Sequence, residues 1–116
     1  MLPPSVRVYV ASGVTDLRRS VDGLSALVVS SLALDAFSGH LFLFRNRRGD
    51  RMKILVWDRS GFWVLYKRLE KGTFAWPKER PGTASVELSI GELTLLLEGV
   101  DVASTKRRRW YTRQAA

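Results

Sequence analysis

Three strand-length apolar runs follow one another in this chain: "HLFLF" from His40, "RMKILVWD" from Arg51 and "FWVLYKRLE" from Phe62. Only "NRRGD" and "RSG" turns divide them. Links this short join strands as antiparallel neighbours, because a parallel crossover takes a dozen or more residues. The stretch from His40 to Leu69 is therefore predicted to be a meander. Its strands carry apolar bulk on both sides. Met52, Ile54 and Val56 alternate with Leu55 and Trp57, and Phe62, Val64 and Tyr66 alternate with Trp63 and Leu65. A sheet of this kind needs cover on both faces. Trp57 and Trp63 fit core positions on this pattern, with an exposed position among the cations as the open alternative.

The flanking sequence supplies the cover. "VRVYVASG", from Val6 to Gly13, reads as a strand rich in β-branched residues. Thr15 is placed to cap a helix, with Asp16 where the helix dipole favours an acid. Leu17, Val21, Leu24, Val28 and Leu32 then form one apolar stripe at helical spacing, a helix of about five turns. Gly23 weakens it and reads as a point of close packing against the sheet. "TFAWP", from Thr73 to Pro77, reads as a short edge strand ended by proline. "SVELS" reads as a last strand, with Ser89 capping a short helix that ends near Gly99. The long helix covers one sheet face. The other is left to the C-terminal helix, the tail or a partner, a second copy of the chain included. The expected fold class is α+β: an antiparallel sheet of four to six strands, one long helix on a face, a short C-terminal helix and a basic tail. Residues 1–103 are expected to form one domain and residues 104–116 a flexible basic arm.

Charge is more informative than composition. The 116 residues carry a net +8 and the pI is about 10.6, above the level of about 9 that marks a nucleic-acid partner as a prior. Residues 1–39 balance three arginines with three aspartates. Residues 40–80 set eleven bases against four acids, residues 81–103 hold four acids and no base, and residues 104–116 hold five bases and no acid. The excess is thus confined to a middle block and a tail. Cysteine is absent, which excludes disulfides and thiolate metal sites. No apolar run reaches the roughly 18–20 residues that span a bilayer, and no secretory leader precedes the first strand. A soluble cytoplasmic protein without a membrane partner is the expectation.

Catalytic chemistry finds little footing. Phosphoryl transfer needs two or three carboxylates that converge on a metal. Asp50 lies in an arginine-rich turn. Asp58 lies alone beyond the next strand. Asp16 with Asp22, and Glu92 with Glu98, are spaced to face different sides of a helix. His40 stands alone as a histidine at a turn edge, which suits a hydrogen-bonded structural role better than a zinc ligand or a triad base. No phosphate-cradling glycine loop is present. No catalytic residue, metal ligand or cofactor is assigned, and the chain reads as a non-enzyme.

The middle block does carry a recognisable pattern. Arg45, Arg47, Arg48 and Arg51 crowd round Asp50 within seven residues. Lys53, Lys67, Arg68 and Lys71 follow, interleaved with aromatic residues. Such a set holds phosphate by Coulomb attraction and counterion release, and exposed aromatics among it can stack on unpaired bases. A basic ribbon tip also fits a DNA major groove. The bland alternative is a solvated rim over an aromatic core. Arg107, Arg108 and Arg109 in the tail read as a second phosphate-binding arm, or as a segment that folds on a partner.

Four segments taken in order resemble a known family. "TDLRRSVDGL" (Thr15 to Leu24), "SGHLFLFRNRRGDRMKIL" (Ser38 to Leu55), "YKRLEKGTFAWP" (Tyr66 to Pro77) and "LLLEGVD" (Leu95 to Asp101) resemble the accessory protein of insertion-sequence-66 class transposable elements, the product of the second open reading frame, TnpB of that class. The family's "FRxRRGD" turn corresponds to Phe44 through Asp50, with Asn46 at the variable position. Arg59-Ser60 stands where a more glycine-rich turn is expected. The resemblance implies a role in transposition beside a separate transposase that carries the acidic catalytic residues. The expected function is a non-catalytic, DNA-binding accessory protein that assists that transposase. The alternative is an interaction module that docks the transposase, or itself, without touching DNA.

Overall fold

The computed structural model describes residues 5–78 and 80–99. The element order is β1 (Val8–Ala11), α1 (Val21–Ser30), β2 (Leu41–Arg45), β3 (Arg51–Trp57), β4 (Phe62–Arg68), β5 (Ser85–Leu88) and α2 (Ile90–Glu98). These form an α+β fold around a five-stranded sheet in the order β4-β3-β2-β1-β5. The predicted meander is present: β2 pairs β3 and β3 pairs β4, both antiparallel.

The expectation of a wholly antiparallel sheet is overturned. β1 runs parallel to β2, with Val8 opposite Leu41 and Val10 opposite Leu43. The reason is the helix between them, which carries the chain back along one face so that the next strand starts from the same end. β5 then adds antiparallel to the other side of β1, so the sheet is mixed.

The long helix is also corrected. α1 has ten residues and begins at Val21. Asp16 does not sit in its first turn. Its carboxylate instead accepts from the backbone N–H of Arg18 at 3.0 Å, a local side-chain bond that competes with helix formation. Thr15 N–H donates to the carbonyl of Arg45 at 2.8 Å, pinning this segment to the end of β2 as a loop. Leu17 keeps a core role without helical geometry, packed on the cluster beneath α1. At the far end, Ala33 turns left-handed with φ 54°, and Leu34 N–H bonds the carbonyl of Val28, closing the helix. Gly23 does not meet the sheet. A Cβ there would lie 3.0 Å from the Cβ of Arg19, so the glycine makes room for the Arg19 stem.

Two apolar layers sandwich the sheet. Leu24 and Val28 of α1, with Leu32 and Ala36, pack on Phe42, Phe44 and Leu55. Leu93 and Leu96 of α2 pack on the other face with Val8, Val10, Leu43, Met52 and Ile54. Thr73 to Pro77 is not the predicted edge strand. Its main chain reaches the β2–β3 turn through a single bond, Phe74 N–H to the carbonyl of Gly49 at 2.8 Å. Phe74 is buried as a plug, and Trp76 Nε1 donates to the carbonyl of Ala11. Trp57 is half-buried against Phe37 and Phe62. Trp63 is 57% exposed, which decides against a core position: the packing of α2 is centred on Val8, Val10, Leu43, Met52 and Ile54 and leaves this end of β4 uncovered.

The Ser89 cap is as expected and forms a full capping box. Its Oγ accepts from Glu92 N–H at 3.1 Å, and Glu92 Oε1 accepts from Ser89 N–H at 3.0 Å. Gly99 ends α2 in the left-handed region. Ser89→Ala is expected to cost about 1 kcal/mol, read as a lower urea midpoint at unchanged slope. No helix among the described residues is long and apolar enough to cross a membrane.

Candidate nucleic-acid interface

The β2–β3 turn is organised by Asn46. Its side-chain oxygen accepts from the N–H groups of Gly49 (3.0 Å) and Arg51 (3.1 Å), while its amide donates to Asp50 at 2.8 Å. Gly49, at φ 75°, supplies the left-handed position the turn requires. The hydrogen bond from Asn46 holds the Asp50 carboxyl below its ordinary pKa, with Arg48 and Arg51 adding through-space attraction. The one acid in the cluster is thus engaged by an amide. Arg47, Arg48 and Arg51 are exposed, and none forms an ion pair among the described residues.

The sheet gathers the second basic segment to the same end. Arg51 lies directly opposite Arg68, a cross-strand pair of like charges that is unfavourable unless something anionic lies between them. Arg68 has a partial counter-charge in Glu70 at 2.9 Å. Leu69 N–H bonds the carbonyl of Asp50, tying the chain leading to exposed Lys71 against the arginine turn. Lys53 is on the same face as Arg51, its amine donating to the carbonyl of Arg19 at 2.9 Å.

Two predicted residues are placed elsewhere. Arg45 is half-buried, its guanidinium 6.0 Å from the Trp76 ring centre on the α2 side of the sheet, and its Nε is buried without a partner among the described residues. Lys67 points to that side too, donating to the carbonyl of Leu97 at 2.8 Å in the last turn of α2, where a cation suits the helix dipole. Arg107, Arg108 and Arg109 lie outside the described residues.

Sequence reasoning missed Arg18 and Arg19, which fall within the span of the helix predicted to start at Thr15. The loop pinned by Thr15 brings Arg18 to the basic end, whereas the Arg19 stem lies against Gly23 and its side chain lines a separate cleft with Phe44 and Thr83. Arg18 forks onto Asp16, with Nη2 at 2.7 Å, and this pairing lowers the Asp16 pKa from 3.8 to about 2. The cue was Asp16 two residues before Arg18, an Asx-turn spacing. The Asp16 contribution is then complete above the unfolded pKa of 3.8 and fades as pH falls through the folded value near 2. The stability difference between wild type and Asp16→Asn should accordingly be constant above about pH 5, shrink steeply below about pH 4 and reach its low-pH limit only below about pH 2 in urea titrations. With Arg18 included, this end of the sheet presents, among the described residues, seven cations, Arg18, Arg47, Arg48, Arg51, Lys53, Arg68 and Lys71, against the three acids Asp16, Asp50 and Glu70.

Asp58 and His40, both read as non-catalytic, have structural partners. Asp58 accepts from the N–H groups of Ser60 and Gly61 and from the Trp63 indole, closing the β3–β4 turn. His40 Nδ1 accepts from Arg7 N–H at 3.0 Å. Arg59 takes φ 84°, the left-handed conformation behind the expectation of glycine in that turn. Among the described residues no three His, Asp or Glu side chains converge to hold a metal ion.

The fold and this surface define a small α+β protein whose mixed sheet ends in an exposed basic rim. Residues 6–107 match the family described as IS66 Orf2 like protein, and the chain belongs to that family. It is 39% identical over 110 residues to the uncharacterised protein y4jC of Sinorhizobium fredii (strain NBRC 101917 / NGR234), covering 93% of this chain and 92% of that one. It is 38% identical over 103 residues to y4hO of the same strain, covering 87% and 88%. No solved structure matches. Membership makes the chain an accessory, transposition-associated protein of the insertion-sequence-66 type.

Proposed function

We propose that this protein is a non-catalytic accessory factor that binds DNA and assists a separate transposase on the ends of its element, in the cytoplasm. The observation that carries the reading is the state of the turn: Arg47, Arg48 and Arg51 stand exposed without ion pairs among the described residues, while the adjacent Asp50 is held by Asn46. Like-charged side chains at a rigid turn, with a like-charged cross-strand pair beside them, are compensated from outside the molecule. Phosphate oxygens suit that geometry. Duplex binding should therefore weaken linearly in log–log plots against salt, by roughly 0.9 per phosphate contacted. Affinity insensitive to salt would remove DNA as the partner.

A second reading has its own support. β4 is an open sheet edge, and it exposes Trp63 and Leu65 at 57% and 50% on the side away from α1. Such an edge suits an added strand from the transposase or from a second copy. This reading expects a stable complex in size-exclusion chromatography without nucleic acid, lost on Trp63→Ser with Leu65→Ser.

A further inference from the structure

A cleft of about 670 Å³ opens between the loop at Asp16 to Ser20 and the face of β3 and β4. Its apolar floor is Leu17, Val64 and Tyr66, and its cations are Arg18, Arg51 and Lys53. Tyr66 sits inside a strand yet is 53% exposed, because α1 starts only at Val21 and packs on Phe42, Phe44 and Leu55 beside it. Its cross-strand partner is Lys53, and Arg68 follows two residues later on the same face, opposite Arg51. An open aromatic ring in a cleft, ringed by guanidinium and ammonium groups at sheet spacing, is the arrangement that stacks a base while cations hold the flanking phosphates. The one acid lining the cleft, Asp16, is already neutralised by Arg18.

The geometry points to an unpaired nucleotide as the ligand of this cleft, and we propose that the protein binds a single-stranded stretch of DNA with one base on Tyr66 and the neighbouring phosphates on Arg51 and Lys53. This rests on the DNA-binding reading above and narrows it. A base inside an intact duplex presents only its edges, because its faces are already stacked on the neighbouring bases and are closed to the Tyr66 ring. The exposed turn at Arg47 and Arg48 lies at the same end of the sheet, so one molecule can meet duplex phosphates there and a displaced strand in the cleft. Strand separation at an element end would supply both at once.

The test compares the full chain on a blunt duplex, on a duplex of the same sequence with a single-stranded overhang, and on the single strand alone. Fluorescence anisotropy at fixed salt reads Tyr66→Ala and Tyr66→Phe against wild type. Wild type should prefer the overhang to the blunt duplex. Tyr66→Ala should lower affinity for the overhang and the single strand by roughly tenfold, leave the blunt duplex unchanged and abolish the preference, while Tyr66→Phe, which keeps a stacking ring, retains it. Equal affinity of wild type for blunt and overhang DNA, or an alanine variant that keeps the preference, overturns the cleft assignment while salt-dependent duplex binding leaves the broader reading intact. Absence of binding to all three DNAs overturns both.

Discussion

Replacing Arg47 and Arg48 together by alanine is expected to lower the salt slope of duplex binding by about 1.8, the loss of two phosphate contacts at roughly 0.9 each. At about 0.1 M salt the same counterion argument weakens binding by roughly 0.9 decade per contact, so the pair costs more than tenfold. The effect should reside in the charge and leave the fold intact. Both side chains are exposed, the turn is held by Asn46 and Gly49, and neither guanidinium makes a hydrogen bond among the described residues. Thermal stability should be unchanged, or should rise slightly from reduced like-charge repulsion. Lysine at both positions should restore most of the slope, because counterion release depends on charge more than on the guanidinium fork. An alanine pair with the wild-type slope would take the turn out of the interface.

The largest stability effect is expected at Phe42. It is fully buried, stacks on Tyr9 at 5.8 Å between ring centres, and forms the floor on which Leu24 and Val28 of α1 rest. Phe42→Ala removes the ring and leaves a cavity that a pleated sheet cannot readily close. The expected cost is about 3–5 kcal/mol, much of the stability of a typical small domain at roughly 5–15 kcal/mol. Trp63→Ala is the contrasting variant. The ring is larger but mostly exposed, so its removal should shift stability by less than about 1 kcal/mol. Urea denaturation of the two variants would rank them. A Phe42 variant as stable as the Trp63 one would mean that α1 does not rest on β2.

The difference between these two aromatics shows what the sequence could reveal. Alternation placed Phe42, Leu55 and Trp63 in strands, and short polar turns set β2, β3 and β4 side by side. It could not say that β4 would be the sheet edge, because edge and centre depend on pairings made by distant residues. The same limit hid the parallel pairing of β1 with β2 and the return of β5 to β1. Local chemistry was more legible where one residue decides it: Ser89 as a cap, Gly99 as a stop. It failed at Asp16, whose carboxylate suits the first turn of a helix or an Asx turn equally well by type. The distant bond from Thr15 to Arg45 settles that choice. The arginine turn was visible at once from charge. The two lysines beside it were not separable by sequence, since Lys53 and Lys67 differ only in which side of the pleat they occupy. Both bond to main-chain carbonyls, one at a loop and one at a helix end.

The position of β1 has a consequence for how the molecule is made. Val8 to Ala11 leaves the ribosome ahead of the other strands of the sheet, yet its second neighbour, Ser85 to Leu88, is the last of those strands to emerge. Until then one side of β1 has no hydrogen-bonding partner, although the meander beside it can already zip locally. Nascent chains stalled before Leu88 should therefore be sticky, prone to recruit foreign strands and dependent on chaperones, and maturation should hinge on the arrival of one four-residue latch.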